Sequence, residues 1–329
     1  MKAFTNANAR DARHAATVAR EARAAGRHAA FAGGGSDLLA LVKDQIITPD
    51  VIVHLTSIPG ADRVERSASG LSIGGLVTLD TLSRDEVVRE QYTVLAEAAE
   101  AVATPQIRNV GTLAGNVCQR PWCWYYRNGF PCYKAGGTQC FSVGGENEFH
   151  AIFGGGPSYI VHPSDTAPAL MALGATFSIT GPGGDRTRAA AEFFTLPRQN
   201  AAKENVLADD EVLTAIQIPA ARPGTRSTYR KLMDREAWTH AVVSAAVVLE
   251  MDQGVVRSAR VVLGGVAPIP WRLPEVEKVL AGQKVTDAVL QKAGEVAVAG
   301  ARPLSQNAYK VPLTRNLVRR TIRELAERA

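Results

Sequence analysis

His28-Ala29-Ala30-Phe31-Ala32-Gly33-Gly34-Gly35-Ser36-Asp37-Leu38, with the apolar run on to Val42, reads as a short strand, a glycine loop and the start of a helix. Glycines at such a junction let the backbone come close to a diphosphate and present consecutive N–H donors, with Ser36 as a further hydroxyl donor. The same residues also suit a plain glycine-rich turn. Asp37 is an unusual neighbour for an anion, and reads as a cap for the next helix or an acceptor for a cofactor hydroxyl. The spacing is not G-x-G-x-x-G and no P-loop lysine follows, which argues against Rossmann and Walker sites. Upstream, MKAF reads as a strand. Residues 8–25 read as an Ala/Arg-rich helix stopped by Gly26, so the chain opens as β-α-β.

Downstream, DVIVHL (50–55) and LSIGGLVTL (71–79) have the pattern of strands. Residues 84–103 have helical spacing, with Val88, Tyr92, Leu95, Ala99 and Val102 on one face. A second glycine-bearing stretch follows, Arg108 to Asn116. Gly111 and Gly115 allow close approach there, beside Leu113 and Ala114, and Thr112 and Asn116 offer polar groups; an ordinary loop fits equally. Residues 151–165 return to strand and turn, and end in His162-Pro163-Ser164-Asp165. Ser164 or Asp165 is placed to cap the short helix APALMALGA (167–175). Residues 220–227 read as a linker. The last 100 residues read as an α+β unit that begins with the basic stretch Tyr229 to Arg235. Within it, Lys231 is either part of a solvated strand or a cation able to stabilise a reduced ring.

The chain has 329 residues, 46% hydrophobic and 21% charged, enough for two or three domains. Its net charge of +5 is spread along the chain without an aromatic stacking motif, so a nucleic-acid footprint is not expected. No segment approaches the ~20 apolar residues of a membrane span. The N-terminus lacks an apolar signal core, so a cytoplasmic location is expected, or a periplasmic one by export with a signal-bearing partner. All four cysteines, Cys118, Cys123, Cys132 and Cys140, crowd one window rich in Trp, Tyr and Arg. Four thiolates suit a [4Fe–4S] cluster or a structural zinc, although the paired C-x2-C knuckles of zinc sites are absent. Disulfides or free thiols remain the alternative. His150 reads as a surface histidine or as a substitute for one thiolate.

AGGGSDLL, QIRNVGTLAGN, HPSDTAPALMALGA, YRKLMDREAW and LGGVAPIPWR occur in the order seen in the FAD-binding medium subunits of the xanthine dehydrogenase and aldehyde oxidoreductase family, which this chain resembles over nearly its whole length. The resemblance implies an α+β protein with a two-subdomain FAD-binding fold of the vanillyl-alcohol-oxidase (PCMH) type over 1–222, split at about 1–56 and 57–222. It also implies a C-terminal domain over 226–329 like that of the carbon monoxide dehydrogenase flavoprotein. Phe31 to Leu38 would hold the FAD diphosphate, and Thr112 to Asn116 would form a second flavin loop. Asp165 would hydrogen-bond the cofactor, Leu213 would touch it, and Lys231 would sit by the isoalloxazine ring. Val102 matches a position that is aromatic in some relatives. The segment 117–157 looks like the inserts that carry a [4Fe–4S] cluster in some family members. Cys123, Cys132 and Cys140 match that pattern best, and Cys118 is the choice for the fourth ligand.

The implied role is electron relay. A large molybdenum-cofactor subunit would oxidise an aldehyde, xanthine or N-heterocycle. Electrons would pass through a small [2Fe–2S] subunit to FAD here and on to an external acceptor. No catalytic acid, base or nucleophile is expected in this chain. A stand-alone flavin oxidoreductase of the vanillyl-alcohol-oxidase type and a zinc-stabilised scaffold are the rival readings.

Overall fold

Three sheets organise the computed structural model, which describes residues 1–328. The first is built from β1 (Thr5–Asn8), α1 (Ala12–Ala24), β2 (Ala29–Ala32), α2 (Leu38–Lys43) and β3 (Val51–His54). Its strands run parallel in the order β1-β3-β2, the arrangement that helical crossovers produce. The opening strand lies at Thr5–Asn8 and not at MKAF. Its position is set by pairing with β3, where Thr5 lies opposite Val51, and apolarity of the segment does not decide it. Asp11 caps α1 by accepting from His14 N at 2.7 Å, and Gly26 ends the turn that follows at φ 70°.

The second sheet is antiparallel, in the order β4-β5-β8-β6-β7. It is formed by β4 (Val64–Ser67) and β5 (Gly70–Gly74), then β6 (Thr176–Gly181), β7 (Gly184–Ala189) and β8 (Val212–Pro219). Between β5 and β6 run the short helices α3 (Leu79–Arg84), α4 (Glu86–Gln91), α5 (Thr93–Glu100), α6 (Pro105–Arg108), α7 (Leu113–Val117), α8 (Trp124–Arg127) and α9 (Thr166–Ala172); α10 (Ala190–Phe193) follows β7. The single helix expected over 84–103 is therefore broken. Asp85 is extended and its carboxylate caps α4 by accepting from Val88 N at 3.1 Å, which ends α3. Tyr92 makes the second break. Residues 151–164 form no strand. They are held by backbone bonds such as Ile152 N to Val266 O (2.9 Å) and His162 N to Ala267 O (2.9 Å). The core here joins Ile73, Leu79, Leu95, Leu113, Phe177 and Phe193, all essentially solvent-free.

The third sheet is antiparallel, with β9 (Thr225–Leu232), β10 (Val243–Asp252), β11 (Val255–Gly264) and β12 (Trp271–Arg272) in the order β12-β11-β10-β9. Helices α11 (Pro274–Leu280), α12 (Asp287–Val298) and α13 (Lys310–Glu327) pack on it over Val247, Val261, Leu290, Val318 and Ile322. Burying each such side chain contributes about 1.5–3 kcal/mol. Lys310, at the start of α13, is fully buried and donates to Phe149 O (2.9 Å) and Gly265 O (2.8 Å). Burial pushes its ammonium down to about 7. Among the described residues no helix is long and apolar enough to cross a membrane.

Candidate flavin site

A cleft of about 630 Å³ opens where the first sheet's glycine loop meets the loop before α7. Every residue from Phe31 to Leu38 lines it, as do Gly111, Thr112, Gly115, Asn116 and Asp165. The remaining expected positions lie behind this wall. Leu113 is buried in the second sheet's core, and Ala114 N donates to Gly75 O (2.9 Å). Leu213 is a core residue of β8, opposite Ile179. Lys231 does not face the cleft, but reaches it through Asp165.

The two loops touch. A Cβ at Gly34 would stand 2.5 Å from the Val110 carbonyl carbon and closer still to its oxygen, and one at Gly33 would stand 2.7 Å from Thr112 Oγ1. Gly35 has φ 73°, a left-handed conformation that favours glycine. Thr112 caps α7 by accepting from Gly115 N at 3.2 Å. These are the fittings of a backbone cradle, and they suit an FAD diphosphate: close approach, free N–H groups, and no side chain in the way.

The floor is a buried polar network. Asn116 Oδ1 accepts from Ser164 Oγ and Thr166 Oγ1, both at 2.6 Å. Ser164 Oγ accepts from Ala167 N (3.0 Å), so Ser164 is the cap of α9, and Asp165 makes no cap bond. Asp165 instead accepts from Tyr229 OH at 2.6 Å and from Lys231 Nζ at 2.7 Å. Lys231 also donates to Ala101 O (2.9 Å). Burial, reinforced by the Asp165 charge, holds the Tyr229 phenol well above its usual range. The pair Asp165–Lys231 is thus a neutralised cation one step from the cleft, with both side chains at most 5% exposed.

The fourth wall comes from the hairpin between β9 and β10, whose Arg235, Trp238, Thr239 and His240 line the cleft. Burial lowers the His240 imidazole, opposed by the Asp165 charge. None of these four was singled out in the sequence beyond their place in or beside the motif YRKLMDREAW. Arg120 and Trp122 of the insert were missed as well.

The insert divides in two. Its inner part lines the cleft with Cys118, Gln119, Arg120 and Trp122. Cys118 ends α7, packs against the second sheet's core, and has its thiol pushed up to about 12 by burial. The outer part carries Cys123, Cys132 and Cys140; Cys123 and Cys132 share an apolar cluster with Tyr126 and Phe141, and Tyr125 and Phe130 pack on the Phe141 ring. Burial pushes the Cys123 thiol up to about 11, and the neighbouring Cys132 and Cys140 add to the shift. Cys123 Sγ lies 3.4 Å from His150 Nε2. His150 is buried and not on the surface; burial lowers its imidazole to about 4, and its Nδ1 has no partner. All four cysteines are free. The four-cysteine set expected from the sequence is not drawn together, because Cys118 is held on α7 at the cleft. Among the described residues no three His, Cys, Asp or Glu side chains stand close enough to hold a single metal ion.

The insert is anchored at both ends. Asp37 does not cap α2; its carboxylate accepts from Arg120 N (2.9 Å) and Arg127 Nη2 (2.7 Å). Buried Glu204 pairs with Arg120 Nη1 and Lys134 Nζ, each at 2.8 Å. At the far end, Asn147 exchanges bonds with Gln306 (3.0 and 2.9 Å), and Asn307 Nδ2 donates to His150 O (3.0 Å).

This geometry is that of a cradle for a diphosphate-bearing cofactor. Residues 4–221 match the family described as "FAD binding domain in molybdopterin dehydrogenase", and residues 227–325 match "CO dehydrogenase flavoprotein C-terminal domain". The chain belongs to the FAD-binding subunits of that family. It is 34% identical to the aldehyde oxidoreductase FAD-binding subunit PaoB of Escherichia coli (strain K12), over 100% of both chains. It is 27% identical to the carbon monoxide dehydrogenase medium chain of Hydrogenophaga pseudoflava, over 90% of this chain and 89% of that one. The solved Cu,Mo-CO dehydrogenase in its cyanide-inactivated form superposes with a TM-score of 0.78 at 25% identity, each chain fully covered.

Proposed function

We propose that this chain is the electron-transfer FAD subunit of a heterotrimeric molybdenum hydroxylase, acting in the cytoplasm. Its partners are a large molybdenum-cofactor subunit and a small [2Fe–2S] subunit, and an external acceptor takes the electrons. The observation that carries this reading is the double-loop cradle, in which Gly33 and Gly34 meet Val110 to Thr112 with no room for a Cβ. FAD bound there supplies a carrier that accepts electrons singly or in pairs. The backbone N–H groups of Phe31 to Leu38 and the Ser36 hydroxyl hold the diphosphate. Gly111 to Asn116 orient the flavin, with Leu113 and Ala114 as the core-facing side of that loop and Leu213 as packing behind it. Asp165 bonds the cofactor, and Lys231 behind it orients that carboxylate beside the ring. The chain divides at about residues 222–226 into the FAD-binding part and the C-terminal domain. Aldehyde oxidation is favoured over the other family chemistries by the 34% identity to an aldehyde oxidoreductase subunit.

For the insert we infer a [4Fe–4S] cluster held by Cys123, Cys132 and Cys140. Support comes from the apolar cluster shared by Cys123 and Cys132, the nearness of Cys140 to Cys123, and the buried, half-partnered His150 beside Cys123, which takes the fourth position in place of Cys118. Several irons space their ligands more widely than one ion does, so the set need not converge on a point. The test is a visible spectrum with metal, sulfide and flavin analysis of the purified complex. One FAD is expected, with about four irons and acid-labile sulfide beyond those of the small [2Fe–2S] subunit. A single zinc overturns the cluster, and aldehyde turnover by this chain alone overturns the subunit reading.

A further inference from the structure

We propose that Arg127, a residue of the cysteine insert, is a positioning residue for FAD: it holds the diphosphate loop in its binding shape through Asp37. The inference rests on the FAD reading of the cleft and does not depend on what the cysteines hold.

Asp37 belongs to the glycine loop by its backbone and to the insert by its side chain. One carboxylate oxygen takes Arg127 Nη2 at 2.7 Å and the other takes Arg120 N at 2.9 Å. No other polar partner from α2 or its own loop competes for that carboxylate. The Arg127 side chain is only 9% exposed. Its guanidinium lies 4.2 Å from the Trp122 ring centroid and also faces Tyr126, and Arg127 Nε donates to Pro121 O (2.9 Å). A planar cation fixed on one face by an aromatic ring and on its edge by a carboxylate has little freedom left.

Two further contacts make the link directional. Leu41, on the helix that follows the glycine loop, shares a small apolar cluster with Tyr126, Cys132, Cys123 and Phe141 of the insert, flanked by Ile46 and Ile47. Trp122, which Arg127 supports, lies 5.3 Å from the His240 ring on the opposite wall. The insert therefore joins the N-terminal glycine loop to the C-terminal hairpin across the cleft mouth, and Arg127 is the residue that touches both joints. Losing its charge leaves Asp37 half-buried without its direct ion-pair partner and frees the Trp122 ring. The loop and the far wall then lose their shared reference, and FAD meets a cradle that must be ordered at the moment of binding.

The test is FAD titration of the deflavinated complex, followed by flavin fluorescence, with wild type, Arg127→Met, Arg127→Lys, Asp37→Asn and the double variant. Arg127→Met is expected to weaken FAD binding on the order of tenfold or more. Arg127→Lys should restore part of the loss, which a purely steric role would not produce. In the Asp37→Asn background Arg127→Met should cost much less, giving a non-additive cycle. Asp37→Asn is isosteric and keeps the test open if Arg127→Met fails to fold. Wild-type affinity retained in both single variants, or strict additivity, overturns the proposal. A wild-type complex that takes up no FAD overturns the reading of the cleft instead.

Discussion

Replacing Gly34 by Ala adds one methyl group at the point where the two flavin loops touch. That Cβ would lie 2.5 Å from the Val110 carbonyl carbon, whereas real Cβ atoms keep at least 3.0 Å from their neighbours, and the carbonyl oxygen is nearer still. Both obstructing atoms are backbone, so no rotamer change relieves the clash; the loops must part by well over half an ångström. Overpacking of this kind costs about 1–3 kcal/mol. Because both loops line the cleft, the cost falls on the FAD-competent arrangement, and it corresponds to about a five- to 150-fold loss of FAD affinity. The assay is flavin content after purification and gel filtration, with binding constants from fluorescence titration. Gly183→Ala is the control, since its added Cβ meets nothing within 4 Å. Full flavin retention and unchanged affinity in Gly34→Ala would refute the cradle.

Three further outcomes are expected. Asp165→Asn leaves the Lys231 ammonium, 3% exposed, without a counter-ion, and should cost about 3–5 kcal/mol in thermal unfolding; Asp165→Leu with Lys231→Met should recover most of it. Lys310 has its pKa lowered by burial to about 7 from 10.5, so the unfolded chain binds the extra proton between those values and stability should rise with pH across that window. Lys310→Met should flatten that slope in denaturant titrations at pH 7 to 10. His162 is lowered by burial to about 3 from 6.5, so its neutral folded form adds stability that is lost as pH falls from 6.5 toward 3; in His162→Leu acid unfolding should be shallower over that range.

The glycine loop was legible because its requirements are local. A strand, three glycines and a helix start specify the backbone without reference to the rest of the chain, and Phe31 to Leu38 all reach the cleft. The second loop was legible for the same reason at Gly111, Thr112, Gly115 and Asn116. What escaped reading is set at a distance. His240 and Trp238 reach the cleft through a hairpin whose Trp238 takes φ 57°, which its composition does not announce. Asp37 looked like a helix cap because its partner, Arg127, lies 90 positions away. His150 looked like a surface residue because Asn307, which covers it, lies 157 positions away. The helix expected over 84–103 fails at Asp85, where a side-chain cap outweighs continuation of an apolar face.

The bonds from Asn147 to Gln306 and from His150 to Asn307 close loops spanning 159 and 157 positions. They can form only after residues 306 and 307 have been synthesised. The glycine loop and its first sheet are complete some 250 residues earlier. The outer end of the insert is therefore fixed late in the life of the polypeptide, by residues made long after the glycine loop that the insert's other end holds.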